Sequence, residues 1–115
     1  YVRGRQIEVD TGIPKTARNQ LSAIRYSQSL NGKDIILLST ANGGGRSRSN
    51  GVIYLLIPED NGSMTVVASH HVTDGHYAYS CLTELVDGNL GLLYECDDAE
   101  ITYQTISMPD FLSKL

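Results

Sequence analysis

The sequence predicts an all-β protein built from antiparallel sheets. Short segments of alternating or continuous apolar residues recur about every ten positions along the chain. Gly, Asn and Asp separate these segments, and Asn31-Gly32 and Asp87-Gly88 are dipeptides that hairpin turns prefer. Short strands joined in this way are typical of a sandwich, a barrel or a propeller, and the pattern alone does not choose among the three.

The predicted strands follow one another closely along the chain. They span residues 6–10, 21–26, 35–38, 51–57, 64–68, 77–85, 90–96 and 99–106. Residues 35–38 are all apolar, as in a short strand buried on both faces. The polar residues 69–75 are predicted to lead irregularly into the next strand. Pro109 suits a first helical position, so residues 109–115 predict one short closing helical turn.

The strands at residues 77–85 and 90–96 carry the residues on which the functional hypothesis depends. Asp87-Gly88 between them predicts a tight hairpin. Tyr79 lies near the start of the first strand and Glu95 near the end of the second. In an antiparallel pair these two positions lie at the same end of the sheet, so both side chains can reach one site.

The composition is that of an ordinary globular domain. The chain has 115 residues, of which 41% are hydrophobic and 19% charged, enough for one small domain with a core. A net charge of -4 argues against a nucleic acid as partner. No run of about 18 apolar residues exists, so no membrane span is predicted. No signal peptide is visible and the first residue is not Met, so residues 1–115 are interpreted as an excised or processed piece.

The cysteines and histidines carry weaker signals. Cys81 and Cys96 are on the two hairpin strands, where a cross-strand disulfide is conceivable, but two buried thiols are the simpler interpretation. His70, His71 and His76 lack metal-ligand spacing and are interpreted as solvated loop residues, so neither a metal ion nor a cofactor is expected.

Several separated motifs then point to a known family. The strand from Ile35 to Ser39 comes first, and four motifs follow it: Arg48-Ser49-Asn50-Gly51, Ala78-Tyr79-Ser80-Cys81-Leu82, Asp87-Gly88 and Gly91-Leu92-Leu93-Tyr94-Glu95. In this order and spacing they resemble the C-terminal end of bacterial-type exo-sialidases (neuraminidases). The segment from Arg18 to Ser22 is similar to that family's Cys-Gln-x-Ser motif and contains Gln20, with Asn19 in place of the Cys. The resemblance runs from about residue 11 to residue 115.

The resemblance implies a fold and a set of roles. The fold would be a six-bladed β-propeller, of which this chain forms about two blades at the C-terminal end of the catalytic domain. Residues 34–56 with 64–85 would make most of one blade, and residues 90–106 part of another. Tyr79 would be the nucleophile, and Arg48 the third arginine of the triad that binds the sialic acid carboxylate, with Arg46 as the alternative. Glu95 would orient another triad arginine, and Gln20 would lie among the substrate-binding residues.

Much of the family's machinery has no match in the chain. The first two triad arginines, the aspartate acid/base and the glutamate that activates the tyrosine are expected upstream. The repeat Ser-x-Asp-x-Gly-x-Thr-Trp is also missing, since the chain contains no Trp. The chain by itself is therefore expected to be inactive, and its partner is expected to be the remaining part of the propeller.

The chemistry of sialic acid explains why these residue types suit it. The sugar carries a carboxylate on its anomeric carbon, which would repel an ionised Asp or Glu. A neutral tyrosine avoids that repulsion, and sialidases are a known exception to the two-carboxylate pattern of glycosidases. A free tyrosine has a pKa of about 10, so a neighbouring base or arginine must help it to ionise. The planar fork of arginine binds both carboxylate oxygens.

Two functional classes remain open at this stage. The first is part of an exo-alpha-sialidase that hydrolyses terminal sialic acid from glycans with retention, in a secreted, periplasmic or cell-surface protein. The second is a non-catalytic sialic-acid-binding or structural propeller segment. Alone, Tyr79 would more often be a strand residue that packs its ring, Arg48 a solvated loop charge and Glu95 an exposed strand-end charge. A hydrolase, a trans-sialidase and an enzyme that releases an anhydro product would share this end of the chain.

Overall fold

The computed structural model describes residues 21–43, 48–97 and 100–115. These residues form seven strands and one short helix, so the predicted all-β class is confirmed. The elements are β1 (Ser22–Arg25), β2 (Ile36–Ala41), β3 (Ser49–Pro58), β4 (Met64–His76), β5 (Ala78–Glu84), β6 (Leu90–Glu95), β7 (Ile101–Ile106) and α1 (Met108–Leu112). The strand predicted at residues 6–10 lies outside the described residues.

The strands form two antiparallel sheets. One sheet has the order β1-β2-β3-β4, and the other has the order β5-β6-β7. Both sheets are meanders, in which each strand pairs with the next one along the chain. The predicted division between blades is therefore wrong in one respect, because β5 pairs with β6 rather than with the first sheet. Only Tyr77 separates β4 from β5, so this single residue takes the chain from one sheet to the other.

Strand β4 is much longer than the sequence predicted. It continues through residues 69–76, which were predicted to be an irregular lead, and it pairs with the whole length of β3. The prediction missed this part of the strand because its residues are polar. β4 lies at the edge of its sheet, where polar side chains face solvent. Two irregularities near Gly51 and one near Leu56 let the thirteen residues of β4 pair with the ten of β3.

The hairpin between β5 and β6 is confirmed. Leu85 N–H donates to Asn89 O at 2.8 Å, and Gly88 N–H donates to Leu85 O at 2.9 Å. Gly88 has φ +85°, which only glycine adopts without strain. Ala78 is opposite Glu95 in the ladder, so the tyrosine and glutamate ends of the hairpin coincide as predicted.

The core lies between the two sheets and beneath the helix. Its largest members come from strands β2, β3 and β6, from the positions next to strands, and from the helix: Ile35, Leu37, Ile53, Leu55, Tyr77, Leu90, Leu92, Met108 and Phe111. Hydrogen bonds also connect the two sheets. Leu82 N–H donates to Ser22 Oγ at 2.9 Å, and the Tyr26 hydroxyl donates to Gly88 O at 2.6 Å.

The closing helix is shorter than the predicted segment 109–115 and begins one residue earlier. Ser107 caps it by accepting a hydrogen bond from Asp110 N–H at 3.3 Å, and Pro109 lies in its first turn. Met108 and Phe111 are buried against the sheets. Phe111 also contacts the His70 ring at 5.9 Å between ring centroids. The helix therefore covers one part of β4.

The two cysteines do not form a disulfide. Cys81 is opposite Leu93 in the ladder and its side chain is exposed, whereas Cys96 follows the end of β6. Cys96 makes a 2.9 Å contact with Thr102 Oγ1. The interpretation of both residues as buried thiols is therefore wrong for Cys81, and Cys96 is only partly buried. The alternation of β5 turns Cys81 to the same exposed face as Tyr79.

No helix in the described ranges is long and apolar enough to cross a membrane.

Gly51 has the least room for a side chain among the described glycines, because the Tyr77 ring packs against it. A Cβ atom at Gly51 would lie 2.3 Å from Tyr77 Cδ1, so Gly51→Ala must displace a buried ring. We expect a loss of about 1–3 kcal/mol in stability. We also expect faster exchange of the Tyr77 amide, measured by hydrogen-exchange mass spectrometry on the complete protein.

Gly75→Ala is the matched control for this substitution. A Cβ atom at Gly75 would meet only the carboxylate end of Asp97, at 3.1 Å, and that side chain can move. Equal protection of the Tyr77 amide in the two variants would contradict the packing described for Gly51.

Candidate functional site

Tyr79 occupies a β-bulge in strand β5. The ladder passes from Ala78 opposite Glu95 to Cys81 opposite Leu93, so β5 has one residue more than β6 over this interval. Tyr79 has φ +50°, a left-handed conformation that a bulky residue rarely adopts. Such bulges re-aim a side chain and often lie beside active sites. The Tyr79 side chain is 48% exposed at this point.

Arg48 lies beside Tyr79. Its Nη1 donates to the Tyr79 hydroxyl at 3.2 Å, and its guanidinium carbon lies 5.2 Å from the centroid of the Tyr79 ring. The backbone brings the two residues together, because Tyr77 N–H donates to Arg48 O at 2.8 Å. Arg48 thus joins the start of β3 to the start of β5, although 31 positions separate it from Tyr79.

The backbone next to Arg48 is also irregular. Asn50 has φ +58°, and the pairing of β3 with β4 shifts register on both sides of Gly51. Asn42 N–H donates to Asn50 O at 2.8 Å and closes the loop that precedes β3. Both candidate residues therefore stand where regular pairing is interrupted. Interruptions of this kind are common where side chains are directed at a ligand.

Glu95 is half-buried at the same end of the hairpin. Its Oε1 lies 3.0 Å from His76 Nε2, so the carboxylate already has a polar partner within this chain. His76 ends β4, and its backbone N–H donates to Asp97 Oδ1 at 3.3 Å. Sequence reasoning missed this pair and interpreted His76 as a solvated loop residue. The signal was weak, because nineteen positions separate the two residues.

Tyr77 forms a buried polar cluster directly behind Tyr79. It is only 1% exposed, its hydroxyl is hydrogen-bonded to Ser39 Oγ, and Ser39 Oγ donates to Ser80 Oγ at 2.8 Å. Burial raises the pKa of the Tyr77 hydroxyl, and its hydrogen bonds with Ser39 and Ser80 act in the opposite direction. Tyr77 therefore stays neutral at physiological pH.

Two of the predicted site residues, Gln20 and the alternative arginine Arg46, lie outside the described residues. Of the predicted site residues, the structure brings Arg48 and Tyr79 into contact and puts Glu95 at the same end of the β5–β6 hairpin.

The arrangement can bind and stabilise negative charge. A guanidinium that donates to a tyrosine hydroxyl stabilises the oxyanion formed when that hydroxyl loses its proton. The planar fork of an arginine side chain also matches the geometry of a carboxylate. Across the described parts of the chain, no group of three His, Cys, Asp or Glu side chains is arranged to hold a metal ion.

The chain is similar to known sialidases. It is 40% identical over 90 residues to the anhydrosialidase of Macrobdella decora, an alignment that covers 70% of this chain and 12% of that protein. It is 36% identical over 94 residues to sialidase B of Streptococcus pneumoniae, with 76% of this chain and 13% of that protein covered. No model of a protein family matches the chain.

Solved structures agree with these relatives. The intramolecular trans-sialidase of Ruminococcus gnavus, in complex with oseltamivir carboxylate, superposes with a TM-score of 0.71 at 33% identity. The match covers 85% of this chain and 24% of that structure. Such neighbours are sialidase β-propeller domains, which confirms the predicted architecture. The two sheets are about two blades of a six-bladed propeller.

Proposed function

Because the chain belongs to the sialidase family, we propose that it supplies part of the active site of an exo-alpha-sialidase. In this proposal Tyr79 is the nucleophile, Arg48 binds the carboxylate of sialic acid, and Glu95 orients a further arginine of the site. The observation that carries the proposal is the contact of Arg48 with the hydroxyl of Tyr79 at the β5 bulge. Gln20 is proposed as a substrate-binding residue from the sequence motif alone.

Tyr79 suits nucleophilic attack on a sugar that carries its own carboxylate. Its hydroxyl oxygen would bond to the anomeric carbon while the bond from that carbon to the glycosidic oxygen breaks. The tyrosine proton passes to a base, and the departing alcohol takes a proton from an acid, both expected in the upstream part of the protein. A neutral nucleophile avoids repulsion with the substrate carboxylate, and attack on the opposite face in a second step returns the original configuration.

Arg48 can serve substrate and nucleophile together. Its Nη1 donates to the Tyr79 hydroxyl, and the planar fork of a guanidinium has the geometry that binds a carboxylate. A carboxylate bound there would lie beside the tyrosine, as a substrate with its carboxylate on the reacting carbon requires. Glu95, half-buried, would balance the charge of another guanidinium, since an unpaired buried charge is costly.

The rest of the site must come from elsewhere. The chain spans only 12% and 13% of the lengths of the two curated relatives. We therefore propose that residues 1–115 are the C-terminal part of a catalytic propeller and that they are inactive alone. The partners would be the upstream part of the propeller and sialylated glycans. Because such glycans are displayed outside cells, the protein would act as a secreted, periplasmic or surface enzyme.

The names of the relatives favour a second candidate, which differs only in the last step. The leech relative is an anhydrosialidase, and the R. gnavus neighbour is an intramolecular trans-sialidase. In a hydrolase, water attacks the anomeric carbon of the tyrosine-linked sugar. In an intramolecular transfer, a hydroxyl of the same sugar attacks that carbon and gives its proton to a base, the bond to Tyr79 breaks, the tyrosine oxygen regains a proton, and an anhydro sugar leaves.

The nucleophile is tested by Tyr79→Phe in the complete protein. We expect kcat for a fluorogenic sialoside to fall by a factor of about 10³ or more, while free sialic acid still binds. Tyr103→Phe, on an exposed tyrosine of β7, is the matched control and should retain full activity. Normal turnover by Tyr79→Phe would refute the assignment. An unmodified protein that binds sialic acid without turnover would support the non-catalytic class.

The carboxylate contact is tested by Arg48→Ala and Arg48→Lys. A hydrogen bond to a charged group is worth about 1.5–3 kcal/mol, so we expect Arg48→Ala to raise KM by about 10-fold to 100-fold. Lysine keeps the charge but not the planar fork, so its KM should lie between those of alanine and arginine. Arg25→Ala, on the exposed side of β1, removes the same charge as a control. An unchanged KM in Arg48→Ala would exclude this role.

The two product classes are separated by turnover in ¹⁸O-labelled water. Hydrolysis gives free sialic acid that carries the label, because water supplies the new oxygen on the anomeric carbon. Intramolecular transfer gives an unlabelled product that is lighter than sialic acid by one water. For the exo-alpha-sialidase proposed first we expect labelled sialic acid as the initial product. The lighter unlabelled product would instead identify the intramolecular transfer named for the leech and R. gnavus proteins.

A further inference from the structure

Tyr77 is the one residue between the two sheets, and its contacts reach both sides of the candidate site. Its N–H donates to Arg48 O at 2.8 Å, and its ring lies against Gly51. The same ring contacts the Tyr94 ring of β6 at 4.8 Å between ring centroids. Because Tyr77 is 1% exposed, these contacts are complete within the described chain and leave no surface for another segment.

The hydroxyl of Tyr77 extends the contacts to the residue after Tyr79. It bonds to Ser39 of β2, whose hydroxyl donates to Ser80 at 2.8 Å. Ser80 is the second residue of the bulge. The hydrogen-bonded hydroxyls of Tyr77, Ser39 and Ser80 therefore join the first sheet to the distorted backbone that carries Tyr79. All three side chains are buried, and a buried polar network that is fully paired restricts its members to one arrangement.

We propose that Tyr77 is a positioning residue that holds Tyr79 and Arg48 in their relative geometry through the Ser39–Ser80 hydroxyl cluster. The inference rests on the proposed function, in which Tyr79 reacts and Arg48 binds. It assigns a role to a residue that does not itself touch the substrate.

The strained backbone of Tyr79 gives the physical reason. A non-glycine residue at φ +50° is unfavourable and persists only where its surroundings fix it. Regular pairing with β6 does not fix it, because the ladder is interrupted between Ala78 and Cys81. The contacts on both sides of Tyr79, through Tyr77 and Ser80, supply that restraint. Without the Tyr77 hydroxyl, β5 can relax and carry the Tyr79 oxygen away from Arg48.

The test is Tyr77→Phe in the complete protein, which removes one oxygen and keeps the buried ring. We expect kcat for a fluorogenic sialoside to fall between about 10-fold and 100-fold, as a displaced nucleophile would cause. KM and the affinity for free sialic acid should change by less than about twofold, because Arg48 remains.

Tyr94→Phe is the matched control. Tyr94 is also buried, and its ring packs against Tyr77. Its hydroxyl, however, accepts from Gln104 Nε2 at 3.0 Å and makes no bond to Ser39 or Ser80 in the described chain. Its hydroxyl can therefore be removed without breaking the Ser39–Ser80 cluster. The control should lose a similar amount of stability and no turnover. If both variants keep full kcat, or if both lose it in proportion to a fall in melting temperature, the positioning role is overturned.

Ser39→Ala tests the same cluster from the other sheet, and it carries the test if Tyr77→Phe does not fold. It should lower kcat as Tyr77→Phe does, and the double variant should lose no more than the more impaired single one, because both break one chain of hydrogen bonds. Losses that multiply, or full activity in Ser39→Ala, would overturn the proposal.

Hydrogen exchange gives a readout that needs no turnover. Amides in a peptide spanning residues 78–82 should exchange faster in Tyr77→Phe than in Tyr94→Phe. If the unmodified protein does not turn over sialosides, the proposed function fails, and this comparison still decides whether Tyr77 restrains the bulge. Equal exchange in the two variants would overturn that restraint.

Discussion

The pairing of β5 with β6 accommodates one extra residue, and the geometry of the candidate site depends on that bulge. It puts Tyr79 in a left-handed conformation with its side chain exposed, where the Arg48 guanidinium can reach the hydroxyl. Regular pairing would keep the ladder continuous here and would shift the register by one residue. The bulge is held in place by the hairpin turn, the neighbouring strands and the buried Tyr77.

The two sheets contribute different parts of the arrangement. The first sheet supplies the buried Ser39, Arg48 directly precedes its strand β3, and the second sheet supplies Tyr79 and Glu95. One short connection at Tyr77 joins the sheets, so a shift of one blade against the other would separate the guanidinium from the tyrosine. Gly51 allows the close approach, since any side chain there would collide with the Tyr77 ring. The packing between the two sheets therefore also determines the geometry of the site.

The chain belongs to the sialidase family, and its candidate site lies at one end of a hairpin. Arg48 and Tyr79 lie within contact distance there although 31 positions separate them. Antiparallel meanders achieve this because adjacent strands return to the same edge of a sheet. The half-buried Glu95, here paired with His76, lies at that same edge, where a further charged group could join it.

Local patterns in the sequence determined the β class, the hairpin at Asp87-Gly88, and the placing of Tyr79 and Glu95 at one end of it. Turn chemistry and strand periodicity act over a few residues, so they can be read directly. The ordered motifs also singled out Arg48 as a candidate carboxylate-binding residue, and the structure puts it in contact with Tyr79. Tertiary structure alone decided that β4 extends to His76, that β5 belongs to the second sheet, and that His76 bonds Glu95. It also decided the bulge at Tyr79 and the burial of Tyr77 against Gly51, because these depend on contacts between residues far apart in the chain, which no local pattern encodes.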